Sequence, residues 1–221
     1  MKICGVDEAG RGPVIGPLVI CAYCLEEKNL QNLHNLKIKE SKQLNEKQRK
    51  KAFEKLKKLS TDFKYAVISA KEIDRNSENG INLNQLEAKK IAELLDELLP
   101  DVVYIDSPTS PDGNKFSMMV KENLLHKNIN LFSGHYADIK YPIVAAASII
   151  AKVIRDEEIE AIHKELGMNF GSGYPADPIT IQFLKNNWDN PKVSEYIRKS
   201  WGTIKELEKR KIQRLLSDFE N

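Results

Sequence analysis

Two short apolar runs in this chain each finish on an acid. Ile3-Cys4-Gly5-Val6 leads into Asp7-Glu8, and Val102-Val103-Tyr104-Ile105 leads into Asp106. Runs of this length and composition read as strands buried on both faces, which belong to sheets covered by helices. Residues 17–25 (PLVICAYCL) form another such run after the Gly-Pro pairs Gly12-Pro13 and Gly16-Pro17, close enough for an antiparallel neighbour. Lys64–Ser69 and Asn130–Phe132 are two more. Helical periodicity separates them. Asn45-Glu46-Lys47-Gln48 is an N-cap with its capping-box partner. Residues 84–99 place Ala88, Ile91, Leu95 and Leu98 on one face and stop at Pro100, and residues 114–127 are helical. A long helix runs from Pro142 to about Leu166, its Ala145-Ala146-Ala147 permitting close packing, and two or three helices follow Gly173. The order predicts an α/β fold: a mixed five-stranded sheet flanked by helices over residues 1–166, then a helical C-terminal segment over 167–221.

Composition narrows the class. The 221 residues are 41% hydrophobic and 30% charged with a net charge of +2, the balance of a soluble globular protein whose net charge says little about partners. No apolar run is long enough for a bilayer and no signal peptide is evident, so no membrane association and a cytoplasmic location are expected. The three cysteines, Cys4, Cys21 and Cys24, are too few and odd in number for a disulfide-built secreted fold. Cys21 and Cys24 have CxxC spacing but sit inside a strand-like run, so they read as buried small hydrophobes.

A third acid shares the context of the first two. Asp138 lies in His135-Tyr136-Ala137-Asp138, just before the long helix. Strand ends and helix starts are where sites form in open α/β sheets. Taken singly, Asp106-Ser107-Pro108 is turn chemistry and Asp138 a distant helix cap. Taken together, Asp7, Glu8, Asp106 and Asp138 would repel one another unless a cation compensates, and hard oxygen donors suit Mg²⁺ or Mn²⁺. Adjacent side chains on a regular strand face opposite ways, so Asp7 and Glu8 can share a cation only if the strand breaks or twists there; Gly10 and Gly12 make such a break feasible.

These residues resemble the signature of the ribonuclease HII family. The likeness rests on Asp7-Glu8-Ala9-Gly10-Arg11-Gly12, Glu40-Ser41-Lys42-Gln43-Leu44, the strand-ending Asp106, Tyr136-Ala137-Asp138, Ala147-Ser148-Ile149-Ile150-Ala151-Lys152 and Gly171-Ser172-Gly173-Tyr174-Pro175. They occur in the family's order, and the C-terminal helices resemble the archaeal branch. Glu40 departs from the Asp usual before Ser-Lys, which bears on the geometry of that loop.

The resemblance implies an RNase H-like fold and hydrolysis of the RNA strand of RNA–DNA hybrids. It also implies incision 5′ of a ribonucleotide embedded in duplex DNA. Asp7, Glu8, Asp106 and Asp138 fall on the family's catalytic and metal-binding acids. Two metal ions there would activate water and stabilise the leaving 3′-oxygen, giving 5′-phosphate and 3′-hydroxyl ends. Gly10, Arg11 and Gly12 fall on the segment that reads the 2′-hydroxyl and grips the neighbouring phosphate. Tyr174 falls on the tyrosine that packs on the next sugar. Ser41, Lys42, Ser148 and Lys152 complete the implied substrate-binding set, Lys42 and Lys152 as phosphate partners, and the C-terminal segment would complete the substrate cleft. His135 and His163 either touch the site or cap surface helices, the latter favoured for His163. Gln213, Leu216 and Phe219 resemble a sliding-clamp-binding box with Glu220 where a second aromatic is expected, and can equally close a terminal helix onto the core. A monomer is expected.

Overall fold

The computed structural model describes residues 1–36, 44–108 and 113–209. Its five strands are β1 (Lys2–Ala9), β2 (Leu18–Glu26), β3 (Asp62–Ile68), β4 (Val102–Asp106) and β5 (Asn130–Gly134), ordered β3-β2-β1-β4-β5. β1 runs antiparallel to β2 from Lys2↔Glu26 to Ala9↔Val19, and parallel to β4 from Ile3↔Val102 to Val6↔Ile105. β4 runs parallel to β5 as far as Asp106↔Gly134. The sheet is mixed, as the run of strands and helices predicts. Cys4 faces Cys24 across the β1–β2 ladder, and all three cysteines are buried free thiols. Burial pushes the Cys4 and Cys21 thiols well up, so they pack as small hydrophobes.

Helices cover both faces. The helices are α1 (Leu30–Asn35), α2 (Glu46–Leu59), α3 (Ala70–Glu78), α4 (Leu83–Leu98), α5 (Gly113–Asn123), α6 (Ala137–Lys140), α7 (Pro142–Leu166), α8 (Pro178–Asn187) and α9 (Pro191–Ser194). α2 starts at the expected capping box: Asn45 Oδ1 accepts the Gln48 N–H at 3.0 Å and Gln48 Oε1 accepts the Asn45 N–H at 2.9 Å. α4 buries Ala88, Ile91, Leu95 and Leu98 and packs on β2 and α5. On the opposite face, Ile3, Ala9, Cys21, Tyr23 and Leu25 pack against Ile143, Val144, Ala147, Ile150 and Ala151 of α7. This approach is so close that a Cβ at Gly5 would fall on the Ile143 carbonyl. Gly5 and the alanines of α7 therefore set the distance between sheet and helix.

The chain divides into two compact units. The first comprises Met1–Gly10, Leu18–Val67 and Asn82–Glu157, which hold the sheet. The second comprises Arg11–Pro17, Ile68–Ile81 and the chain from Glu158 onward. Sequence reading expects a segment starting at 167. The observed second unit starts within α7 and draws in two earlier stretches. Its core explains why: Val14 and Ile15 bury against Ile159, Ile162, Phe170, Phe183, Leu184, Val193, Ile197 and Ile204. α3 is absent from the sequence reading because its residues are largely polar, although Ser69 and Glu72 form an N-cap pair, with the Glu72 N–H donated to Ser69 Oγ at 3.1 Å. Among the described residues no helix is long and apolar enough to cross a membrane.

Candidate active site

Register brings the first two acids together. The parallel ladder between β1 and β4 ends at Val6↔Ile105, and Asp7 and Asp106 are the next residues of that register. Partners in a parallel register leave the sheet on the same side. Asp106 is still held by pairing with Gly134, and Asp7 by pairing with Cys21. Asp7 is therefore not at the end of β1. The strand continues to Ala9 because its other ladder does.

Asp106 also builds the segment carrying the third acid. Its Oδ1 accepts the Ala137 N–H at 3.0 Å at the start of α6, after Tyr136 turns the chain in the left-handed region (φ 58°). Asp138 follows at the second position of α6 and is 3% exposed. One carboxylate oxygen from each of Asp7, Asp106 and Asp138 lies within 4.8 Å of the others. Glu8 is not in this cluster. β1 is unbroken through Glu8, so its side chain leaves the sheet on the face opposite Asp7, and the strand break that would join the two acids is not formed. The Glu8 N–H does serve the site, donating to Asp7 Oδ1 at 2.7 Å.

Burial pushes the Asp7 carboxyl up to about 7, and the charge of Asp106 acts in the same direction. The Ser148 hydroxyl, the Glu8 N–H and Lys152 oppose the rise without cancelling it. Ser148 and Lys152 lie one turn apart on α7, with Lys152 Nζ donating to Ser148 Oγ at 2.8 Å. Ser148, expected at the substrate, is 1% exposed and turned onto Asp7. A divalent cation among three convergent carboxylates would relieve both desolvation and mutual repulsion, and an all-oxygen donor set fits a hard ion.

Arg11, Gly12 and Tyr174 belong to the second unit. Gly10, at φ 87°, turns the chain out of β1 in a conformation that favours glycine. Gly12 packs beneath the Tyr174 ring, where a Cβ would stand 3.6 Å from Cε1. Two features that sequence reading missed fix this arrangement. Gly173 O accepts both the Val14 N–H at 2.8 Å and the Ile15 N–H at 3.2 Å. Arg198, fully buried, donates Nε to Gly16 O at 2.9 Å and Nη1 to Arg11 O at 3.1 Å, with Trp201 stacked on its guanidinium. An arginine between Ile197 and Lys199 gives no sequence sign of burial. His135 Nδ1 lies 3.5 Å from Ser107 O, and His163 packs edge-on against Phe170, with ring centroids 4.1 Å apart, instead of capping a surface helix. Ser41 and Lys42, with Glu40, and Gln213, Leu216 and Phe219 lie outside the described residues.

The sequence matches the family model for ribonuclease HII over residues 4–204, a span that includes the three clustered acids, the Gly-Arg-Gly turn and Tyr174. The chain belongs to the ribonuclease HII family. A ribonuclease HII from Pyrococcus furiosus is 41% identical over 211 residues, covering 94% of this chain and 92% of that protein. The crystal structure of the ribonuclease H2 from Pyrococcus horikoshii superposes with a TM-score of 0.83 at 42% identity, over 95% of this chain and 98% of that one. A ribonuclease HII from Archaeoglobus fulgidus, solved as a complex with PCNA, superposes with a TM-score of 0.82 at 33% identity, over 91% and 95% of the two chains. Membership in ribonuclease HII makes this chain an endoribonuclease of the ribonuclease H type, acting on RNA–DNA hybrids.

Proposed function

We propose that the chain cuts the RNA strand of hybrids, and cuts 5′ of single ribonucleotides embedded in duplex DNA, by a two-metal mechanism using Mg²⁺ or Mn²⁺. The observation that carries this reading is the convergence of Asp7, Asp106 and Asp138 to within 4.8 Å. These three would hold a cation against the scissile phosphate; bound there, it supplies Lewis acidity and an ionised water. Glu8 enters as the fourth acid on the family motif alone, because its carboxylate lies outside the cluster. Ser148 and Lys152 favour the ionised form of Asp7, against its burial, and orient it. Gly10, Arg11 and Gly12 read the 2′-hydroxyl and grip the adjoining phosphate, the ribose hydroxyl being the group that distinguishes RNA from DNA locally. Tyr174 packs on the following deoxyribose, and Ser41 and Lys42 contact the backbone. The products are 5′-phosphate and 3′-hydroxyl ends, a route to removing ribonucleotides from DNA.

Duplex DNA containing one ribonucleotide, incubated with Mg²⁺ or Mn²⁺, tests this. The parent chain cleaves 5′ of the ribonucleotide, Asp7→Asn and Asp106→Asn do not, and Tyr174→Ala loses preference for the RNA-to-DNA junction. Equal cutting of all-DNA duplex would remove the ribonucleotide specificity. A second reading concerns the tail, since the Archaeoglobus relative was solved with PCNA. Gln213, Leu216 and Phe219 are proposed to dock on a sliding clamp, and capture by a clamp that persists when the chain ends at Lys211 would exclude it.

A further inference from the structure

The sheet edge nearest the acids carries an apolar surface that the cleavage chemistry does not use. Phe132, on the edge strand β5, is 56% exposed, and Tyr136 and Ile139 are 57% and 54% exposed. A long aromatic on an open sheet edge is an aggregation hazard that edges ordinarily avoid. Phe132 is also backed by other rings. Its ring stacks on Tyr104 at a centroid distance of 5.6 Å, and Tyr104 stacks on Tyr141 at 4.4 Å. The row thus runs from a partly buried tyrosine out to an exposed phenylalanine.

Register places this row beside the acids. Phe132 pairs with Tyr104, and Tyr104 precedes Asp106 by two residues on β4, so all three leave the same sheet face. Gly134, two residues after Phe132, pairs with Asp106. Two residues of strand span about 7 Å. That is about two nucleotides of one strand at ~3.4 Å each. Between Leu125 and Tyr141 the one acid is the buried Asp138, and the exposed Lys140 places its Nζ 5.2 Å from the Tyr141 ring centre.

We propose that Phe132, backed by Tyr104 and Tyr141 with Lys140 over the far end of the row, is a stacking platform for an unpaired base of the substrate, about two nucleotides from the cut. Exposed aromatics with neighbouring cations bind single strands through the faces of bases, without sequence preference. A paired base offers no free face, so the platform favours hybrids with an overhang, a flap or a frayed end close to the cleavage point. This rests on the proposed role of the acids in placing the scissile phosphate.

The test measures binding of the full chain, in EDTA, to a blunt RNA–DNA hybrid and to the same hybrid carrying a short unpaired overhang. The parent chain binds the overhang form roughly five-fold or more tightly, the order of one stacked base. Phe132→Ala removes that ratio. Phe132→Trp keeps it, and its added indole emission is quenched by the overhang form but not by the blunt one. Equal binding of both forms by the parent, or an unchanged ratio in Phe132→Ala, overturns the platform. Concentration-dependent dimers of the parent that vanish in Phe132→Ala also overturn it, assigning the face to a second copy. Cleavage of the blunt hybrid by the parent with Mg²⁺ is scored separately, so a failure of the catalytic reading is distinguishable from a failure of the platform.

Discussion

The acid cluster in the first unit and the turn from Arg11 to Gly16 in the second are built on opposite principles. The cluster assembles charged side chains from two strands and a short helix: Asp7, Asp106 and Asp138 converge while burial and repulsion hold the Asp7 carboxyl up to about 7. The turn assembles backbone groups and leaves them satisfied. Arg198 and the Gly173 carbonyl occupy the hydrogen-bonding groups of Arg11, Val14, Ile15 and Gly16, and glycines bare the chain around Arg11. A metal site must keep unmet electrostatic demand until its ion arrives, whereas a surface that reads a sugar hydroxyl needs its shape fixed beforehand. Perturbing the two regions should therefore separate chemistry from stability.

The largest effect belongs to the cluster. Asp106→Asn replaces one of three convergent carboxylates by a neutral amide and should cost about 4 kcal/mol of transition-state stabilisation, roughly a thousand-fold in cleavage rate. It should not destabilise the metal-free fold at neutral pH, because it also removes a charge that repels Asp7. Single-turnover cleavage and chemical denaturation in EDTA read the two quantities. A parallel loss of both would break the contrast.

The pH dependence follows from Asp7. Its ordinary value is 3.8 and its folded value about 7, so between these pH values the folded chain holds more protons than the unfolded one. Stability is then fully present below the unfolded pKa and is lost as pH rises through the folded pKa. At about 1.4 kcal/mol per pKa unit, the loss amounts to as much as about 4 kcal/mol. Excess Mg²⁺ reverses the trend, since a bound cation favours the ionised carboxyl. Denaturation midpoints at pH 5 and pH 8, with EDTA and with Mg²⁺, should show the metal stabilising the chain far more at the higher pH. Asp7→Asn should flatten the EDTA profile.

Much of the first unit was legible in the sequence and little of the second. Apolar runs such as Val102–Ile105 and capping pairs such as Asn45 and Gln48 are local patterns, and local patterns set strands and helix starts. Asp7 and Asp106 could be paired from sequence because both follow buried runs. Their separation from Glu8 turned on whether β1 breaks after Asp7, which depends on the β2 ladder continuing to Ala9↔Val19. That is a long-range fact without a local signature. The same holds for Gly5, whose place beneath α7 no neighbouring residue announces, and for Arg198, whose partners lie 182 and 187 residues earlier.

Arg198 is the position where the turn should be weakest. Arg198→Met keeps much of the packing against Trp201 but leaves the carbonyls of Arg11 and Gly16 without this donor. At about 1–2 kcal/mol for each carbonyl left wanting, the change should cost about 2–4 kcal/mol of stability, read by urea denaturation. Rate with saturating Mg²⁺ on a long hybrid should fall less than preference for a single ribonucleotide over DNA. Equal falls would mean that the turn and the acids do not divide the work.

The smallest structural effect, and the sharpest test of the contrast, is expected at Gly12. A Cβ there meets only the Tyr174 ring at ordinary contact distance, 3.6 Å from Cε1, and Gly12 does not have a positive φ. Gly12→Ala should therefore shift the folding free energy by no more than about 0.5 kcal/mol, the range of a surface change. If the bare backbone at Gly12 is what lets a ribose approach, the same methyl should lower cleavage at an embedded ribonucleotide through a raised KM with kcat little altered, because a contact shared by ground and transition states is lost. Unchanged KM would mean that the turn is shaped for packing under Tyr174 and reads nothing. Unchanged stability with raised KM would show that this turn carries recognition on a scaffold that Arg198 holds independently of it.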